Sequence, residues 1–204
     1  MADDQKQNGF AKRRENKKKD ILAAARMLFF SSNFKDVTIA QIAKEAKVSQ
    51  VSIYNFFESK ENLIRLTFME YMNESYEKLK AIVNSNFSFQ EKVQKIFETS
   101  MGSAKEVTAD LYATFKWDDP IIKDFQQDYA VNKAFPQIFR LLEQGRREGQ
   151  ISPDIDNQTF LLYIEGFSQI ISKPEVANHW DSRQREQLGQ LFFYGLFGKP
   201  NSQG

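Results

Sequence analysis

Two helix starts built alike, within the run VTIAQIAKEAKVSQVSIYNFFESKENL at residues 37–63, constrain this chain more than any other feature. Thr38 followed by Gln41 is a capping box: the hydroxyl accepts from the backbone of the third helical residue while the Gln side chain reaches back to the cap. Val37, just before the cap, stands where it can pack on Ile42 as a hydrophobic staple. Ser49 opens a second helix, and Val48 is set against Ile53 by the same offset. The spacing predicts two short helices, 38–46 and 49–56, joined by a tight turn at Lys47-Val48, which is the geometry of a helix-turn-helix.

Within that pair the apolar positions have structural work. Ala43 is small enough to let the helices approach, Val48 and Ile53 fill the junction, and Ile39, Ile42, Phe56 and Phe57 are expected to bury against a preceding helix. That helix is predicted from about Asp20, where Ile21, Ala25, Leu28 and Phe29 share one face, to Ser32-Asn33. Gln50, Ser52, Tyr54 and Asn55 then point outward from the second helix, with side chains able to bond base edges or phosphates. The bland alternative is a helical hairpin with a solvated face.

Charge separates the two readings. Residues 1–62 carry twelve Lys/Arg and eight Asp/Glu, a balance of +4, whereas residues 63–204 carry sixteen and nineteen, a balance of −3. A polyanion prefers the first part. Residues 1–19, with Lys12, Arg13, Arg14, Lys17, Lys18 and Lys19, read as a basic, flexible arm able to neutralise phosphates. Ser59-Lys60-Glu61 caps a further helix beside another cation.

With these residues in place, the run from Ile21 to about Leu63 resembles the DNA-binding domain of the tetracycline-repressor (TetR) family, down to Tyr54-Asn55-Phe56-Phe57 followed by Ser59-Lys60-Glu61. The resemblance implies that Thr38, Tyr54 and Lys60 hold phosphates and that Gln50, Val51, Ser52 and Asn55 reach into the major groove, where Gln or Asn can pair with adenine and Val51 can touch a thymine methyl. Lys47 and Ser49 complete the expected DNA-binding set. Lys47 stands where the family often has Gly, and Lys in a left-handed turn costs roughly 1 kcal/mol, while adding a cation near DNA. Val51 replaces a commonly small residue, and Asn33 a frequent Gly.

Past residue 60 the pattern stays helical, with expected helices at 60–84, 89–101, 104–116, 120–131, 134–148, 156–172 and 182–197 and an interior loop at 149–156. The expected architecture is all-α: the arm at 1–19, a three-helix helix-turn-helix domain at 20–62, and a larger helical ligand-binding and dimerisation domain at 63–200. Nineteen Phe supply ample apolar surface. Most of these rings are core, but Phe97, Met101, Tyr112, Phe115, Trp117, Tyr129, Tyr163 and Phe167 form a candidate lining for a bulky, flat, apolar ligand. Glu98, Lys116 and Glu165 are candidate polar contacts to it. The last two helices carry Phe160, Ile164, Phe167, Ile171, Leu188, Leu191, Phe192 and Leu196, interspersed with Gly166, Ser168, Gly189 and Gly195. This surface, which resembles the family's usual dimer, is expected to pair with a second copy in a four-helix bundle.

The partners expected are double-stranded operator DNA, a small molecule and a second copy of the chain, with no membrane. Cysteine is absent and His179 is the single histidine, so no metal site or cofactor is expected, and His179 reads as a loop residue. No run of about twenty apolar residues occurs, and the start lacks a signal-peptide pattern, which points to the cytoplasm. Two other functions compete. One is a DNA-binding factor of the same fold with no ligand. The other is a helical enzyme using the loop carboxylates Asp118 and Asp119 or Asp154 and Asp156, which lack a His, Cys or phosphate cradle to complete a reaction centre.

Overall fold

The computed structural model describes residues 2–31, 36–104, 119–171 and 181–197. These form helices α1 (Ala2–Ser31), α2 (Ile39–Glu45), α3 (Gln50–Phe57), α4 (Lys60–Val83), α5 (Phe89–Ala104), α6 (Pro120–Asp128), α7 (Phe135–Arg147), α8 (Asn157–Ile171) and α9 (Ser182–Phe197). A π-helical segment, Tyr129–Ala134, links α6 to α7. No described helix is long and apolar enough to cross a membrane. Asn33, the helix expected at 104–116 with Tyr112, Phe115, Lys116 and Trp117, Asp118, and His179 lie outside the described residues, as do the side chains of Met101, Ser168, Ile171 and Leu196. The chain forms two compact units, Met1–Glu74 and Ser75–Gly204, and α4 contributes to both.

The first unit is organised by one apolar face from each helix. Ile21, Ala25 and Phe29 of α1, Ile42 and Ala43 of α2, Ile53 and Phe57 of α3 and Leu63 of α4 are all buried. Each fully buried Phe, Ile or Leu contributes about 1.5–3 kcal/mol relative to exposure. Phe56, expected inside, is only partly buried. The stretch read as a flexible arm is helical, because α1 begins at Ala2. The reason is propensity: Lys, Arg, Glu and Ala dominate residues 11–19, no proline interrupts them, and such residues extend an existing helix at little cost.

In the second unit, Val83, Phe89, Val93, Leu141, Leu142, Ile151, Phe160 and Phe192 form the core. The helix starts are capped by side chains. Ser88 and Glu91 make a reciprocal box at α5, with Ser88 N donating to Glu91 Oε2 (2.9 Å) and Glu91 N donating to Ser88 Oγ (3.3 Å). Asp119 accepts from Ile121 N (2.9 Å) at α6, and Asp156 accepts from Thr159 N (2.7 Å) at α8. Those bonds favour the ionised Asp156 and hold its carboxyl below the ordinary range. Two of the carboxylates weighed as reaction groups are therefore helix caps.

The helices expected at 120–131 and 134–148 are continuous through the π segment. Pro136 explains the local widening. It has no N–H to donate and its ring would crowd the carbonyl four residues back, and the backbone switches to a five-residue step, with Phe135 N–H donating to Ala130 O.

Aromatic packing changes the expected roles of the last two helices. The Phe192 ring lies 4.4 Å from Phe167, 5.5 Å from Tyr163 and 6.1 Å from Phe97, centroid to centroid. Tyr163 Oη donates to Phe192 O (2.9 Å), and desolvation raises its phenol pKa. A Cβ on Gly189 would meet Phe97 at 2.7 Å, and one on Gly195 would meet Tyr163 Oη at 2.6 Å. These two glycines, expected to admit a second copy, instead admit the chain's own aromatic rings. Phe160, Leu188 and Phe192, expected at a dimer face, are buried in the chain's own core, with Ile164 and Phe167 packed against it. Leu191 alone of the described set stands out, 68% exposed, and Leu162 and Ile170 of α8 join it as exposed large apolar residues. Gly166 is exposed, with nothing within 4 Å of its would-be Cβ.

Candidate nucleic-acid interface

The two caps form as the spacing predicts. Thr38 N donates to Gln41 Oε1 (2.7 Å) and Gln41 N donates to Thr38 Oγ1 (3.2 Å), closing the box at α2. At α3, Ser52 N donates to Ser49 Oγ (3.1 Å), and the two hydroxyls lie 2.9 Å apart. Such a cap contributes on the order of 1 kcal/mol and fixes where the helix begins. Between the helices, Val48 N donates to Ala43 O (2.9 Å), and Lys47 adopts φ 54°. The left-handed turn that the family resemblance implied at Lys47 is present, at the steric cost of a Cβ where glycine has none.

Burial of Ile53 and Phe57 rolls α3 so that its other side faces solvent. Gln50, Val51, Tyr54 and Asn55 are exposed, Val51 at 67%, and Ser52 is partly so. Thr38, Lys47 and Ser49 are exposed near the ends of the two helices, and Lys60 is half-buried at the start of α4. α3 thus offers a protruding helix with amide, hydroxyl and methyl groups on one side and cations at its margins. Its chemistry matches the donors, acceptors and thymine methyl of a major groove.

Three features were not legible beforehand. Glu58 has φ 66° and ψ −46°, and Ser59 N donates across it to Phe57 O (2.7 Å), a γ-turn at a residue that pays for its Cβ. Nothing in a glutamate announces a positive φ. The bend is held from outside: Asn62 Nδ2 donates to the same Phe57 carbonyl (3.0 Å), Asn62 N donates to Ser59 Oγ (3.0 Å), and Arg65 Nη1 donates to Asn62 Oδ1 (2.9 Å). The end of α3 and the start of α4 are therefore cross-braced. Finally, the Arg14 guanidinium lies 5.4 Å from the Phe56 ring centroid, which brings the basic part of α1 to the end of α3.

Residues 21–66 match the family model of bacterial regulatory proteins, tetR family. Residues 21–66 form a DNA-binding domain of the tetR-family type. No curated protein matches it in sequence. Solved structures share the TetR fold over most of the chain. The fatty acid degradation regulator FadR from Bacillus halodurans is 20% identical, covers 88% of this chain and 96% of its own, and gives a TM-score of 0.62. FadR from Bacillus subtilis, in complex with stearoyl-CoA, is 18% identical over 88% and 97%, with a TM-score of 0.62. RolR, in complex with resorcinol, is 14% identical over 91% and 90%, with a TM-score of 0.57.

Proposed function

We propose that this tetR-type regulator is a repressor that binds a palindromic operator as a two-fold dimer and is released by a small apolar or aromatic ligand. The observation that carries the DNA half is the exposed face of α3, held at both ends by side-chain caps and cross-braces. Thr38, Lys47, Tyr54 and Lys60 are assigned to phosphates, and Gln50, Val51, Ser52 and Asn55, next to the Ser49 cap, to base edges. Lys60→Ala should weaken binding to all sequences and lower the salt slope by about one unit, whereas Asn55→Ala should cost about 1–3 kcal/mol at particular base pairs. Fluorescence anisotropy across a salt series on matched and mutated duplexes separates the two. A Lys60 variant with altered sequence preference and an intact salt slope would overturn the assignment.

The dimer reading rests on the exposed Leu162, Gly166 and Ile170 of α8 and Leu191 of α9. Apolar side chains at such exposure are covered at little cost by a second copy. The ligand reading rests on the aromatic wall of Phe97, Tyr163 and Phe167, together with two neighbours of the same fold solved with bound small molecules. Tyr129 sits elsewhere, against Tyr76 (6.3 Å) and Phe125 (6.0 Å). Glu98 and Glu165 are exposed.

Release requires a ligand with different affinities for the two states of the protein. α4 is the element suited to carry the change, since it begins at the braced end of α3 and runs unbroken to Val83. A coupling of about 1–3 kcal/mol would change operator occupancy roughly 5–150-fold, and by reciprocity the operator must weaken the ligand by the same factor. Calorimetric titration of any stabilising ligand, with and without operator, reads this directly. Equal affinities would leave a DNA-binding factor without an inducer.

A further inference from the structure

Beyond the aromatic wall, the second unit has a surface groove of about 540 Å³ on the outer side of α7, beside the end of α4 and the start of α5. Its apolar lining is Val83, Pro136 and Phe139, and its cations are Lys92, Arg140 and Arg147. The one carboxylate in the lining, Glu143, is already paired with Arg146 at 2.5 Å. Arg140 has a single long contact, Nη1 to Asn84 Oδ1 at 3.4 Å, and neither Arg140 nor Arg147 forms an ion pair among the described residues.

Lys92 is the unusual member, only 4% exposed. A lysine is almost never fully buried without compensation. Its Nζ donates to Val83 O and to Gln144 Oε1, both at 2.7 Å, which caps the end of α4 and leaves one of three N–H groups without an acceptor among the described residues. Gln144 in turn donates to Phe87 O (3.0 Å) and Glu148 Oε1 (2.6 Å), and Glu148 Oε2 accepts from Phe89 N (2.8 Å). The ammonium is thus held by neutral oxygens, while Glu148, the carboxylate that attracts it, accepts from Gln144 and Phe89 instead. Desolvation, reinforced by Arg147, pulls its pKa down against the attraction of Glu148. An anion in the groove would relieve that cost and the mutual repulsion of the cations.

We infer that this groove binds a small amphipathic anion, with a carboxylate or phosphate head taken by Lys92, Arg140 and Arg147 and an apolar body laid on Val83, Pro136 and Phe139. Two guanidiniums supply the planar forks suited to oxyanions, and the fixed ammonium adds a point charge. Fully solvated surface cations alone would give a salt-sensitive, unspecific attraction; the buried ammonium and the apolar floor add a demand for shape and for a headgroup.

The test is calorimetric titration of the full-length protein with octanoate, octyl phosphate and octanol. At least one of the two anions should bind with a submillimolar Kd, and the stronger of them identifies the headgroup. Octanol should bind at least tenfold more weakly. The double variant Arg140→Gln/Arg147→Gln should lose at least tenfold in anion affinity, while Arg140→Lys/Arg147→Lys keeps most of it. Both arginines project from the outer side of α7, and a thermal melt checks that the variants remain folded. Anion binding unchanged in the glutamine variant, equal binding of octanol, or no binding of either anion would each overturn the inference. Phe97, Tyr163 and Phe167 do not line the groove, so a ligand held by them alone should keep its affinity in the glutamine variant.

Discussion

Phe192→Ala should destabilise the protein by about 3–5 kcal/mol, the range for removing a buried aromatic side chain, and should open an apolar cavity that takes up benzene or toluene. Its ring is the hub about which Phe97, Tyr163 and Phe167 are arranged, at centroid distances of 4.4–6.4 Å across the cluster. Gly189 and Gly195 leave no side chain to collapse into the gap, because a Cβ at either would already crowd Phe97 or Tyr163. A cavity lined by such rings stays dry and accepts an apolar guest. Thermal melts with and without toluene read both effects. A loss under 1 kcal/mol, or no stabilisation by toluene, would mean that the rings repack and that the wall assigned to the ligand is not rigid.

The second large effect concerns the basic part of α1. Because this segment is helical, its cations are sorted by side: Arg13, Arg14 and Lys17 share one face, with Arg14 over the Phe56 ring, whereas Lys12 and Lys19 lie elsewhere. Lys19 lines a different groove, with Glu70 and Glu74. If the face beside α3 follows the DNA backbone, the triple variant Arg13→Gln/Arg14→Gln/Lys17→Gln should lower the salt slope by about 2.7 units. Operator affinity should fall roughly a hundredfold or more at 0.15 M salt. The double variant Lys12→Gln/Lys19→Gln should change the slope by under one unit. Equal losses per charge in the two variants would return these residues to an unstructured basic arm acting through net charge.

The helix-turn-helix was the most legible part of the chain because its signals are local. A Thr with Gln three residues on, a Ser one turn before a buried Ile, and an apolar residue ahead of each cap specify their own hydrogen bonds, and the distances at Thr38 and Ser49 follow. The tight turn at Lys47-Val48 was legible for the same reason, and its left-handed backbone followed from the family resemblance, in which Gly is frequent at Lys47. Glu58 was not, because its γ-turn is imposed by Asn62 from the next helix. In the second unit, amphipathic period located helices but could not tell which apolar face meets the chain's own core. Phe160, Leu188 and Phe192 therefore read as surface to be covered by a partner, while the exposed Leu162 and Ile170 passed unnoticed. Lys92 gave no signal either, since its two acceptors, Val83 O and Gln144 Oε1, come from two other helices that sequence spacing does not bring together. The helix of α1 before Asp20 was missed because basic charge was weighed above helix propensity.

The most direct test of the central claim, that α3 reads operator DNA as one of a symmetric pair, is selection of binding sites from a random pool of double-stranded DNA with the full-length protein. The account predicts an enriched inverted repeat whose half-site centres lie about one helical turn (~34–36 Å) or more apart, and loss of that enrichment when Asn55 and Gln50 are replaced by Ala. Enrichment of a single asymmetric site, or an inverted repeat retained unchanged in the Asn55 and Gln50 variant, would contradict it.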